Sequence, residues 1–153
     1  MNKESVYLEV EGQALSVLAS EKDPIVIMST LSCLLKNAFP HFYWVGFYRN
    51  IDGKNLKIGP YQGTLGCIDI AFGKGVCGAS AQEGKTMVVP DVHEFPGHIA
   101  CDPKSLSEIV VPWFKKDGEL LAVLDIDSTE LGSFDLLDAE YLERMLAKLS
   151  DLL

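Results

Sequence analysis

The chain has few basic residues and no long apolar run, and both shortages narrow what it can do. Its 13 lysines and arginines are outnumbered by 22 aspartates and glutamates, giving a formal net charge of −9. That balance disfavours nucleic-acid binding, because neutralising phosphates takes clustered Lys and Arg. No apolar stretch approaches the roughly 20 residues a membrane-spanning helix needs, so no membrane role is expected. The first residues, MNKESVYLEVEG, lack the apolar centre of a secretory signal. A cytoplasmic location is therefore expected, and structural disulfides are rare there. Internal repeats, low-complexity tracts and linkers are also missing. No pair among the four cysteines has the CxxC spacing of a thioredoxin-type site or a zinc knuckle. The segment GKGVCG at 73–78 is neither a Walker A loop nor a GxGxxG fingerprint, so nucleotide binding has no support.

What is present suits one globular domain over residues 1–153. Residues 4–20 read as a helix with Tyr7, Leu8, Leu15 and Leu18 near one stripe. Asp23-Pro24 starts a second helix, and Pro40 ends its reach at about Asn37. Phe42 to Arg49 reads as a strand, Asp52-Gly53 as a hairpin turn, and Leu56 to Gln62 as the return strand. A glycine-rich segment follows, with a short strand, a loop and a short helix from about Val76. Thr86–Val89 is a further strand, ended by Pro90. Glu108–Lys115 and Leu120–Asp127 pair through Asp117-Gly118, and Asp135 caps a last helix with a Leu142, Met145, Leu146, Leu149 stripe. The fold class is α+β: a central, mainly antiparallel sheet with helices packed against it.

Three cysteines carry the chemical interest. Cys101 lies in a polar loop punctuated by Pro96, Gly97 and Pro103, three residues after His98 and directly before Asp102. A loop cysteine beside a titratable histidine can be a thiolate near neutral pH, the reactive form. Cys67 and Cys77 also fall in glycine-rich sequence read as loop. One thiol attacking and another resolving is the redox reading of such a set. Cys33, between Leu31 and Leu34, reads as a small buried hydrophobe without a role. His93, His98, Cys101 and Cys77 could instead supply metal ligands, but His-x4-His in a Pro/Gly loop is a poor zinc spacing, and no metal is assigned.

The second feature is LLAVLDIDS. Strand alternation puts Asp125 and Asp127 on one face with Leu121 and Val123, and Glu108 opens the neighbouring strand. Three close carboxylates raise one another's pKa. A bound ammonium group or a shared proton relieves them, and the proton leaves an acid able to donate. A divalent cation is the alternative occupant. In HFYWVGFYRN, Phe42, Trp44, Gly46 and Tyr48 are expected on one face, with Gly46 leaving room for a ligand between the rings.

Taken together, GPYQG (59–63), GKGVCG (73–78), VPDVHEFPGHIACD (89–102), SEIVVP (107–112) and VLDIDS (123–128) resemble the free methionine-(R)-sulfoxide reductases, which are built on the GAF fold. The similarity spans nearly the whole chain. Trp113, where an aliphatic residue is expected, and Ala122, where glycine is expected, are its two departures. The resemblance implies a thiol-dependent oxidoreductase that reduces free L-methionine-(R)-sulfoxide, with thioredoxin as electron donor and no cofactor. It implies Cys101 as nucleophile, Cys67 as resolving cysteine and Cys77 as a third thiol of the site. Glu108, Asp125 and Asp127 become substrate-binding acids, and Trp44 and Tyr48 the wall near the sulfoxide and its methyl group. A homodimer is compatible with this reading. The rival readings are a non-catalytic GAF sensor of small molecules, a metal-binding module and a thiol peroxidase.

Overall fold

The structure, a computed structural model, describes residues 2–153. Helix α1 (Lys3–Val17) is capped by Asn2, whose side chain accepts from the Ser5 N–H at 2.8 Å. Its buried face is Tyr7, Val10, Glu11 and Ala14. Of the expected stripe Tyr7 and Leu18 are buried, whereas Leu8 is 48% exposed and Leu15 only partly buried. The helical period centres the buried face on Tyr7, Val10, Ala14 and Leu18 and leaves Leu8 and Leu15 at its edge, while the buried Glu11 is neutralised by Arg144 Nε (3.0 Å) and Lys148 Nζ (2.8 Å). Helix α2 (Pro24–Ala38) starts as expected, with the Asp23 carboxylate accepting from the Ile25 N–H at 2.9 Å.

The chain then forms β1 (Trp44–Asn50), β2 (Asn55–Gln62), β3 (Asp69–Ala71), α3 (Gly75–Glu83) and β4 (Met87–Val89). A 3-10 turn (Val92–Glu94) and a loop lead to β5 (Ser107–Phe114) and β6 (Leu120–Ser128). Helix α4 (Leu136–Ser150) closes the chain behind a reciprocal cap between Asp135 and Asp138. The six strands make one antiparallel sheet in the order β3-β2-β1-β6-β5-β4, so the fold is α+β as read. No helix among the described residues is long and apolar enough to cross a membrane.

The two faces of the sheet have different fates. One meets α2 and α4, with α1 lying on both helices. Val45, Phe47, Ile109, Val111, Trp113, Ala122, Leu124 and Ile126 point there and are buried. Each buried Val, Ile, Leu or Phe among them contributes roughly 1.5–3 kcal/mol, which makes this the stabilising face. Trp113 and Ala122 are register partners on adjacent strands, so the small residue accommodates the large one. The Trp113 N–H is satisfied by the Leu146 carbonyl (3.0 Å) and Ser150 Oγ (2.9 Å).

The other face carries Trp44, Tyr48, Glu108, Val110, Val123 and Asp125, covered by α3 and the long loops. Two placements differ from expectation. Leu121 falls on the helical face, because it is the extra residue where register passes from Trp113↔Ala122 to Phe114↔Leu120. Phe42 precedes β1 and stacks on Phe39 at 4.4 Å, on the helical side of the sheet.

Candidate active site

The antiparallel register assembles the acids. Glu108 on β5 lies opposite Asp127 on β6, which lies opposite Trp44 on β1. Two residues along, Val110, Asp125 and Gly46 form the next row. The three carboxylates predicted from alternation thus share one patch of one face, in the middle of the sheet where helical packing holds the strands. Glu108 and Asp125 are buried, while Asp127 stays partly open at the surface.

Helix α3 lays a thiol over them. Cys77 is buried on α3, within the helix expected from about Val76, and not in loop sequence as the cysteine reading had it. Gly78 permits the approach: a Cβ there would meet the Ala71 carbonyl at 2.5 Å, so only glycine lets the helix sit this close to β3. Cys77 Sγ lies 4.0 Å from Glu108 Oε2, and single ligating atoms of Cys77, Glu108 and Asp125 all fall within 4.8 Å of one another. Asp125 Oδ1 is buried with no hydrogen-bond partner among the described residues.

Burial sets the protonation of the cluster. It pushes Glu108 and Asp127 well above the usual carboxylate range, reinforced by the charge of Asp125. Asp125 is also raised by burial, but its neighbours Glu108 and Cys77 pull the other way. Asp125 is therefore the member that ionises first, and Glu108 is a buried acid facing it. The Cys77 thiol is pushed up by burial and then by the three carboxylates, and the Tyr48 phenol by burial and then Asp125.

At the mouth of the pocket Cys67 and Cys101 form a disulfide, their Cα atoms 5.4 Å apart. Asp102 clamps the two loops together: its Oδ2 accepts from Thr64 Oγ1 (2.6 Å) and Tyr43 Oη (2.9 Å), and its Oδ1 accepts from the Lys104 N–H (2.9 Å). These donors, Thr64 first, hold the Asp102 carboxyl below its ordinary pKa. Sequence reasoning gave no role to Tyr43, Thr64 or Asp102, since nothing local signals a clamp between residues 38 apart.

The aromatic wall departs from expectation. Trp44 stacks on Tyr48 (5.8 Å) and Tyr61 (5.2 Å), and its N–H donates to the Thr64 carbonyl at 2.8 Å, so the indole N–H is already engaged. The room beside Gly46 is filled from within: an added Cβ would collide with Tyr61 Cβ and lie 2.7 Å from the Trp44 ring.

His98 lines the pocket with Nε2 4.0 Å from Glu108 Oε1. Burial, then His93, lowers its pKa, so it faces the acids as a neutral ring and offers Cys101 no positive charge. His93 is exposed and pairs with Asp91 at 3.2 Å. The four ligands offered by the sequence are not brought together, since Cys101 is in the disulfide and His93 faces outward. Cys33 is half-buried and free, with Asn37 Nδ2 3.4 Å from its sulfur, rather than a core residue.

One cavity therefore joins a disulfide at its rim, an aromatic wall and a floor of acids at different protonation states. Trp44, Tyr48, Cys77, His98, Cys101, Glu108, Asp125 and Asp127 all line it. Such a site can admit a small polar solute, hold a cation, deliver a proton and exchange electrons through sulfur.

Comparison with known proteins places this arrangement. The GAF domain family matches residues 9–151. The free methionine-R-sulfoxide reductase of Saccharomyces cerevisiae is 39% identical over 97% of this chain and 86% of its own. The Escherichia coli protein of the same name is 37% identical over 100% of this chain and 92% of its own. The X-ray structure of free methionine-R-sulfoxide reductase from Neisseria meningitidis, solved in complex with its substrate, is 43% identical. It superposes with a TM-score of 0.94, over 99% of this chain and 90% of that one.

Proposed function

The chain belongs to the free methionine-R-sulfoxide reductase family of GAF domains, and from that premise we propose that it reduces free L-methionine-(R)-sulfoxide to methionine with Cys101 as the attacking thiolate. The observation that carries the reading is the Cys67–Cys101 disulfide at the rim of a pocket floored by Glu108, Asp125 and Asp127. Cys67 takes the resolving role in this reading; its bond to Cys101 and the burial of Cys77 on α3 beside the acids support it over Cys77.

The Cys101 thiolate attacks the sulfoxide sulfur as Glu108, the buried neutral acid, gives its proton to the sulfoxide oxygen. The oxygen passes to Cys101 as a sulfenic acid, methionine leaves two electrons richer, and Glu108 is left as a carboxylate. The Cys67 thiol then displaces that hydroxyl, releasing water and forming the disulfide, and Glu108 regains a proton from solvent. A cytoplasmic thioredoxin-class dithiol reduces the disulfide and is itself oxidised.

Asp125, with its unpaired oxygen, and the partly open Asp127 take the substrate ammonium. A peptide-bound methionine presents an uncharged amide instead, and the acids would stay buried without a counter-ion. The Trp44–Tyr48 wall packs against the methyl end.

Single-turnover chemistry with the reduced protein tests the assignment. Cys101→Ser should release no methionine. Cys67→Ser should release about one methionine per chain and then stall as a sulfenic acid. A normal first turnover from Cys101→Ser would remove it as nucleophile, and stoichiometric binding without turnover in the wild type would leave a sensor.

A further inference from the structure

The floor of the pocket is built for more than an ammonium group. We propose that Cys77, Glu108 and Asp125 form a binding site for a divalent cation of the zinc class, and that the bound ion keeps the sulfoxide out. Two independent observations carry this. The first is geometric: a sulfur and two carboxylate oxygens from α3, β5 and β6 all lie within 4.8 Å of one another. Around zinc, bonds of about 2.3 Å to sulfur and about 2.0 Å to oxygen put ligand atoms roughly 3.5 Å apart. The Cys77 Sγ to Glu108 Oε2 separation is already 4.0 Å. The second is that Asp125 Oδ1 is buried without any hydrogen-bond partner among the described residues, so it is a desolvated acceptor that no protein donor satisfies.

The donor types select the ion. A thiolate favours zinc-like cations over magnesium or calcium, which prefer oxygen alone. His98 Nε2 lies 4.0 Å from Glu108 Oε1 but outside the three-ligand group, so it borders the site without completing it. On binding, the Cys77 thiol and any protonated carboxyl release their protons to solvent, and no electrons move. Cys67 and Cys101 take no part, so the site persists in the disulfide form. Exclusion of substrate rests on the function proposed above, whereas metal binding does not.

The test is a cobalt(II) titration of the oxidised protein in a Cys33→Ser background, which leaves Cys77 as the one free thiol. The expected result is a thiolate-to-cobalt charge-transfer band saturating at about one equivalent and bleached by zinc. Cys77→Ala should lose the band. Asp125→Asn, close in shape and expected to fold, should weaken binding at least about tenfold. Free methionine-(R)-sulfoxide should displace the cobalt. Absence of the band in the oxidised protein, or its survival in Cys77→Ala, would overturn the site. Cobalt that binds but is not displaced by sulfoxide would overturn the exclusion. Turnover measured without metal reports separately on the reductase reading.

Discussion

Thr64 Oγ1 donates to Asp102 Oδ2 across 2.6 Å, and this bond joins the two loops that carry Cys67 and Cys101. Thr64 is held from its other side by the Trp44 indole, which donates to its carbonyl at 2.8 Å. The aromatic wall, the clamp and the disulfide are therefore one connected unit. Thr64→Val keeps the shape and removes the donor. It should leave methionine release in the first turnover nearly unchanged and slow closure of the disulfide severalfold, because the sulfenic acid and Cys67 are less well held in reach. Quenched-flow trapping of the sulfenic acid checks this, and an unchanged lifetime would show that the clamp does not position the resolving thiol.

Asp127 makes a prediction about stability and pH. Burial, then Asp125 and Asp102, raises its carboxyl well above the ordinary value, so the native state holds its proton more tightly than the unfolded chain. Its stabilising contribution is full below about pH 4 and is lost as pH rises through the native pKa. Asn does not titrate. Asp127→Asn should match the wild type near the acid end and become more stable than it by at least about 1 kcal/mol by pH 8. Urea unfolding at several pH values measures the gap. A constant gap would mean that the substitution acts through packing. The same variant should bind substrate more weakly, a trade between stability and function.

Cys77 should be inert in the oxidised protein. Its thiol is buried and pushed up by burial and by the surrounding acids, whereas Cys33 is half-buried at the surface. Iodoacetamide followed by mass spectrometry should modify Cys33 at least about tenfold faster than Cys77. Comparable rates would mean that α3 opens readily.

Gly46 tests the wall. An Ala Cβ would overlap Tyr61 Cβ and the Trp44 ring, so Gly46→Ala should cost about 1–3 kcal/mol through overpacking. It should also shift tryptophan fluorescence as Trp44 is displaced. Unchanged stability and emission would show that Tyr61 and Trp44 can yield without loss.

Much of this was legible from local pattern. Asp23-Pro24, Asp52-Gly53 and the α4 stripe are short-range signals, and period-2 alternation alone put Asp125 and Asp127 on one face. The Pro/Gly loop beside His98 singled out Cys101, and the resemblance to a family supplied its partner Cys67, which spacing could not. What stayed hidden depends on contacts between distant segments. Glu11 is buried on α1 with Arg144 and Lys148 reaching it from α4. Leu121 changes face because of a bulge opposite Phe114. Cys77 is buried because Gly78 lets α3 fit close against β3. The Asp102 clamp needs Tyr43 and Thr64 from two other loops.

The central claim is that this pocket reduces a free amino-acid sulfoxide through its thiols. The most direct test follows NADPH consumption with thioredoxin and thioredoxin reductase, comparing free L-methionine-(R)-sulfoxide, its (S) epimer and the N-acetylated sulfoxides. The account predicts turnover with the free (R) form alone. No turnover from folded protein with reduced thiols, or equal turnover of the N-acetylated substrate, would contradict it.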